Sequence, residues 1–213
     1  MFSRLRVTLA LLAGLVVACA LPAALAAPQP ERGPSETIAE ATEAFLKAVD
    51  QHREQLARDP ARIEALINET ILPVVDFDRF SRLILGKFYR RATPEQRAAF
   101  QREFQRLLLD SYATAVVDHR GIDIRFLRTR LTPDGDDGLV QTRISSASGR
   151  SATVDYRVYA GSRGWQVYDV IVEGISAVIT FRKSFYPEIQ RQGLDRFIAT
   201  LGARDLPGSA PRP

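Results

Sequence analysis

Few residues of this chain carry groups suited to proton transfer or nucleophilic attack. Its 213 residues include two histidines, His52 and His119, and one cysteine, Cys19. Neither histidine sits in a recognisable motif. A serine nucleophile needs a base within reach. Ser176 lies in Glu173-Gly174-Ile175-Ser176-Ala177, which lacks the flanking glycines of the G-x-S-x-G elbow. Its position just after a glycine suits a different task, accepting a free backbone N–H at the start of a helix. An acid–base pair in a cavity would have to come from Asp155, Asp169 and Tyr156, and strand alternation puts Asp155 and Tyr156 on opposite faces. Asp169 interrupts an otherwise apolar strand, with Arg182 one helix away. A salt bridge or hydrogen bond that fixes the strand–helix corner explains this pair better than a ligand contact does. No residue is read as catalytic and no metal site or cofactor is expected.

The N-terminus reads as an export signal. Arg4 and Arg6 precede the apolar run Val7 to Leu21, and Ala24-Leu25-Ala26 is an A-x-A cleavage site, so residues 1–26 are read as a signal peptide. The run is short and broken by Gly14 and Pro22, which disfavours a membrane anchor. Val16-Val17-Ala18-Cys19 also fits a lipidated cysteine, but the apolar stretch continues past Cys19 to the conventional site. Cleavage after Ala26 removes the cysteine, and with it any disulfide, thiol nucleophile or thiolate metal site. It also lowers the formal net charge of +4 by the two positive charges of Arg4 and Arg6. So small a charge gives no strong case for nucleic acid or an anionic membrane. Residues 27–34 are a linker by composition, 35–204 a single domain, and 205–213 a disordered tail. The chain is 46% hydrophobic with 11 phenylalanines, enough for a sizeable core.

The elements that position these side chains follow from periodicity. Helical spacing runs from about Ser35 to Leu56. Asp59-Pro60 restarts the chain as cap and first helical residue, with Ile63, Leu66, Ile67 and Ile71 on one face. Asp76 caps a short helix bearing Phe77, Phe80 and Ile84. Thr93-Pro94-Glu95-Gln96 is a complete capping box opening a helix to about Val117, its stripe including Phe100, Phe104, Leu108 and Tyr112. After Gly121 the period becomes two. Four strands joined by short polar turns form an antiparallel meander, with Val140, Ile144, Val154, Tyr156 and Val158 on strand faces. The last strand, Trp165 to Val172, is apolar on both faces. Trp165, Val167 and Ile171 are read on one side and Tyr168, Val170 and Val172 on the other. It passes through Glu173-Gly174 directly into a helix read from Ile175 onward. The fold class is α+β, helices packed on one four-stranded antiparallel sheet.

These residues also resemble a known family. Leu85-Gly86-Lys87-Phe88-Tyr89, then Thr93-Pro94-Glu95-Gln96-Arg97 with Phe100 and Phe104, then Trp165 to Val170 with Glu173-Gly174-Ile175-Ser176, and Phe181-Arg182 with Phe185 are similar to the MlaC, or toluene-tolerance, family. The similarity spans about Glu36 to Leu201. Tyr89 stands where the family often has tryptophan, and Thr180-Phe181-Arg182-Lys183 replaces a more usual asparagine-tyrosine-arginine-serine run. The resemblance implies a soluble periplasmic phospholipid carrier, with the lipid as cargo and not as cofactor. It implies as partners the outer-membrane lipoprotein MlaA complex and MlaD, the MCE-domain subunit of an inner-membrane ABC transporter, and a role in outer-membrane lipid asymmetry.

A carrier must keep acyl tails out of water. Each methylene exposed costs about 0.8 kcal/mol, so a tail of about sixteen carbons costs on the order of 12 kcal/mol. The sheet is therefore expected to curve against its helices around an apolar cavity open at one end. Its expected lining is Phe77, Phe80, Ile84, Phe100, Phe104, Leu108 and Tyr112 from helices. The strands would contribute Val140, Ile144, Val154, Tyr156, Val158, Val170 and Val172. Asp169, Ser176 and Arg182 are expected to be structural polar groups. The rival function on such a scaffold is a small-ligand binder or isomerase-like enzyme, which fold alone cannot separate from a carrier.

Overall fold

The structure, a computed structural model, describes residues 32–118, 121–147 and 149–202, with side chains at 60, 110 and 112–118 excepted. The segment 1–26 read as a signal peptide, His119 and the proposed tail lie outside the described residues.

Five helices precede the sheet. They are α1 (Pro34–Arg58), α2 (Pro60–Thr70), α3 (Phe77–Leu85), α4 (Lys87–Arg91) and α5 (Pro94–Asp118), with a 3-10 turn at Leu72–Val74. The sheet follows as β1 (Asp123–Leu131), β2 (Asp137–Ser145), β3 (Ser151–Gly161), β4 (Gly164–Val172) and β5 (Ile175–Ser176); α6 (Ala177–Gln192) and α7 (Leu194–Leu201) close the chain. Strand order is sequential and every pairing antiparallel.

Local chemistry explains the helix starts. At α5 the Thr93 hydroxyl accepts from the Gln96 N–H at 3.2 Å, and the Gln96 side chain accepts from the Thr93 N–H at 3.0 Å. Both arms of the capping box are made. Asp59 accepts from Ala61 N–H at the start of α2, and Asp76 accepts from Arg79 N–H at 2.8 Å at the start of α3. His52 is exposed, at a kink in α1 where its φ is −118°.

The sheet has five strands and not four, because Glu173 and Gly174 form a tight turn with positive φ at both, 48° and 78°. Paired positive φ values are what a two-residue hairpin turn of type I′ requires. Ile175 therefore leaves the helix assigned to it and pairs with Val172 in β5. Its side chain is 65% exposed.

Two bulges set which side chains face inward. In β1, Phe126 pairs with Thr142 and Arg128 with Gln141, leaving Leu127 as the extra residue. In β4, Val167 pairs with Val158 and Asp169 with Arg157, leaving Tyr168 as the extra residue. Each extra residue reverses the alternation beyond it. Val167, Val170 and Val172 consequently share one face with Val158, Tyr156 and Val154, their cross-strand partners. Strict alternation had separated Val167 from Val170, and the bulge at Tyr168 corrects that reading.

The interior comprises three packed clusters. Phe80, Ile84, Phe100, Phe104, Phe185 and Phe197 lead the largest, where α3, α5, α6 and α7 meet. Ile38 of α1 covers Val140, Val158, Trp165 and Val167 on the sheet. Phe45, Val49, Leu56 and Ile63 join α1 to α2. The segment Leu194–Leu201 was not read as a helix from sequence, yet Phe197 and Leu201 are fully buried.

Candidate functional site

One strand organises the site. The chain after α2 meets the edge of β4 through a parallel bridge between Val75 and Val167, and the Asp76 N–H donates to the Val167 carbonyl at 2.8 Å. Further along, β5 pairs with Ile171 and Val172. Between these two attachments, Tyr168, Asp169 and Val170 border a cavity of about 370 Å³. Ile67, Ile71, Leu72 and Val75 wall it on one side; Phe77 and Phe80 of α3, Leu108 and Leu109 of α5, and Ala177 and Phe181 of α6 wall it on the others. Apart from Gln105, Tyr168 and Asp169, every lining residue is apolar.

The polar side chains at its border are engaged in holding the walls. Asp169 is 4% exposed. The Ser176 hydroxyl donates to its Oδ2 at 2.6 Å, and the Val178 N–H donates to its Oδ1 at 3.1 Å. The same Ser176 oxygen accepts from the Ile179 N–H at 3.1 Å. Asp169 and Ser176 thus share the capping of α6 and pin its first turn to β4. Arg182 does not reach Asp169, contrary to the pairing expected from sequence. It donates from Nε to the Leu83 carbonyl at 2.9 Å, and from Nη2 to the same oxygen. This ties α6 to α3 at the C-terminal end of α3, where helix carbonyls lack intrahelical partners.

A second cluster fixes the bulge. The Arg79 guanidinium lies 4.2 Å from the Tyr159 ring centre and 3.9 Å from that of Tyr168, and its Nη2 is 3.4 Å from Asp137. Tyr168 donates to Asp137 at 3.0 Å, and Tyr159 donates to Asp76. Burial, then the hydrogen bonds to these carboxylates, raises both phenol pKa values above the usual 10.0, so both remain donors at neutral pH.

Of the fourteen residues expected to line a cavity, Phe77, Phe80, Leu108 and Val170 do so. Ile84, Phe100 and Phe104 are fully buried in the helical cluster instead. Val140 and Val158, with Tyr156 against them, are packed beneath α1, and Val154 is 7% exposed. Ile144 borders a separate shallow depression with Ile122 and Ala152. Val172 is 46% exposed at the sheet end. The Tyr112 side chain is outside the described residues. Sequence reasoning missed Leu72 and Val75, because Pro73 marked only a helix end, and missed Ala177 and Phe181, which a helix beginning at Ile175 turned elsewhere. Asp155 and Tyr156 do not converge. Asp155 accepts from Gln141 at 3.2 Å, while Tyr156 packs on the opposite face. Among the described residues no group of three or more histidine, cysteine or acidic side chains could hold a metal, and no helix is long and apolar enough to cross a membrane.

A five-stranded meander with helices gathered around its last long strand, and an apolar cavity at that strand, define an α+β ligand-binding class. The family model described as MlaC protein matches residues 39–203, and the chain belongs to that family. It is 30% identical over 182 residues to a toluene tolerance protein of Pseudomonas putida, covering 85% of this chain and 83% of that protein. It is 23% identical over 174 residues to the intermembrane phospholipid transport system binding protein MlaC of Haemophilus influenzae, covering 80% and 81% of the two chains. A phospholipid-binding protein from Ralstonia solanacearum, solved in complex with a phospholipid, superposes with a TM-score of 0.73 at 26% identity, covering 81% of this chain and all of that one.

Proposed function

We propose that this protein is a non-catalytic phospholipid carrier of the periplasm, exported through its N-terminal signal. It would pass lipid between an outer-membrane MlaA complex and the MlaD subunit of an inner-membrane ABC transporter, maintaining outer-membrane asymmetry. The observation that carries the reading is the apolar cavity at β4, in a fold shared with a protein solved around a phospholipid. At about 370 Å³ it lies near the lower end of the roughly 300–1,000 Å³ typical of sites for drug-sized ligands. Two long acyl tails therefore require it to widen. The walls that can yield are the rings of Phe77, Phe80 and Phe181, because each abuts the cavity on one side. The headgroup stays in water, where its charge loses no hydration.

The test is lipid extraction from protein purified without detergent, followed by mass spectrometry. Co-purified diacyl phospholipid in near-stoichiometric amount is expected. Protein that is folded, lipid-free and unable to take up phospholipid from vesicles would overturn the reading.

A further inference from the structure

The bulge at Leu127 has a second effect, on the opposite face of the sheet. Without it, alternation along β1 would point Arg125 outward and Arg128 and Arg130 inward. With it, Arg125 pairs with Arg143, Arg128 with Gln141, and Arg130 with Leu139, which in turn pairs with Arg157. Residues opposite each other in a ladder share a face. Arg125, Arg128, Arg130, Arg143 and Arg157 therefore stand together across three strands, and all five are exposed. On the same face Asp155 accepts at Oδ2 from Gln141, and Asp137, two residues before Leu139, is held by Arg79 and Tyr168. Asp123 at the strand end holds Arg125 at 2.9 Å. Among the described residues no ion pair holds the other four arginines. On the other face α1 packs Ile38 against Val140 and Val158, and the Ser35 and Thr129 hydroxyls hydrogen-bond.

We infer that this arginine face docks the protein on an anionic phospholipid bilayer. Arginine presents a planar fork that pairs with phosphate in two places at once, and five such forks form an array. Phosphates repeat across a bilayer, so a flat array finds partners in any in-plane orientation. The aromatic neighbour on this face, Tyr159 beside Arg157, is held by Asp76 and Arg79, whereas durable protein interfaces are anchored by aromatic side chains offered to the partner. A charge-only contact is instead reversible and salt-sensitive, as suits a surface met and left repeatedly. The small net charge of the whole chain conceals this local concentration. The inference goes beyond the cargo reading: none of the five arginines lines the cavity, although Arg157 pairs with Asp169 at its border.

The experiment is flotation with vesicles of equal parts phosphatidylglycerol and phosphatidylethanolamine, beside vesicles of phosphatidylcholine. The protein is expected to float with the anionic vesicles alone, and to lose at least about tenfold in binding between roughly 50 and 300 mM salt. The variant R128E/R130E/R143E should bind at least on the order of 100-fold more weakly, since each arginine lost costs about fivefold and each glutamate adds repulsion, while retaining its bound lipid. The neutral R128Q/R130Q/R143Q should weaken binding in the same direction, which guards against misfolding of the reversal. A matched reversal on the helices, R90E/R91E/R102E, should stay within about fivefold of the parent. Equal loss in both reversals would show net charge and not this face at work, and would overturn the inference. So would no flotation with anionic vesicles at low salt, or equal binding to phosphatidylcholine. Retention on poly-L-glutamate resin without vesicle flotation would also overturn it, in favour of an acidic protein partner.

Discussion

The interior has a filled half and a hollow half built from the same residue type. In the filled half Phe100 and Phe104 stack with ring centres 5.5 Å apart, and Phe185 meets Phe197 at 5.0 Å. All four are no more than 2% exposed. In the hollow half Phe77, Phe80 and Phe181 have a cavity on one side. Yet Phe104 touches all three, with centre distances of 5.7, 5.8 and 4.9 Å. The difference lies in the backbone. In the filled half four helices approach from every side. In the hollow half β4 is held at Val167 and at Ile171–Val172, and the helices around the span between leave a gap. Ring chemistry does not distinguish wall from core; the spacing of elements does.

Phe104→Ala breaks the comparison most severely, because it removes the ring shared by both halves. It should destabilise the protein by about 3–5 kcal/mol. For a domain of this size that lowers the melting temperature by roughly 10 °C, measured by calorimetry or circular dichroism. Next in size is a pair on one strand. Val170→Glu places a carboxylate against the apolar cavity and should abolish phospholipid co-purification while the protein remains folded. Val172→Glu, on the same sheet face but exposed, should leave lipid content unchanged and stability within about 0.5 kcal/mol. Equal lipid loss in the two variants would mean that the hollow extends to the sheet end. The smallest effect concerns pH. The Tyr168 pKa is raised in the folded protein, by burial first and Asp137 second. Its contribution is complete below the unfolded value of 10.0 and is lost as pH rises through the folded value. Stability should therefore fall above about pH 10, and Tyr168→Phe should make that fall shallower in denaturant titrations.

Much of the fold is legible in the residues because its signals are local. Thr93-Pro94-Glu95-Gln96, Asp59-Pro60 and Asp76 each announce a helix start through a side chain that can accept a nearby N–H, and each does so in the structure. The strands announce themselves through alternation. The site is less legible. A bulge is a single inserted residue, and β4 is apolar on both faces, so nothing in its pattern betrays the reversal at Tyr168. In β1 the signal was present. Arg125 and then Arg128 and Arg130 occupy opposite parities about Leu127, an arrangement that strict alternation would have buried. Leu194–Leu201 is too short for periodicity to distinguish from a loop. Whether Phe100 is core and Phe77 wall depends on how closely other elements approach, which no spacing along one helix encodes.

Phe104 has one more consequence. A guest that spreads the cavity walls must lean on Phe77, Phe80 or Phe181, and through them on a ring wedged among Phe100 and Phe185. Occupancy is therefore not a private matter of the pocket. It loads the hinge-pin of the helical bundle, and whatever binds the native state but not the unfolded chain raises the temperature at which the bundle gives way. The melting curve of this protein thus doubles as a gauge of whether its cavity is filled or empty.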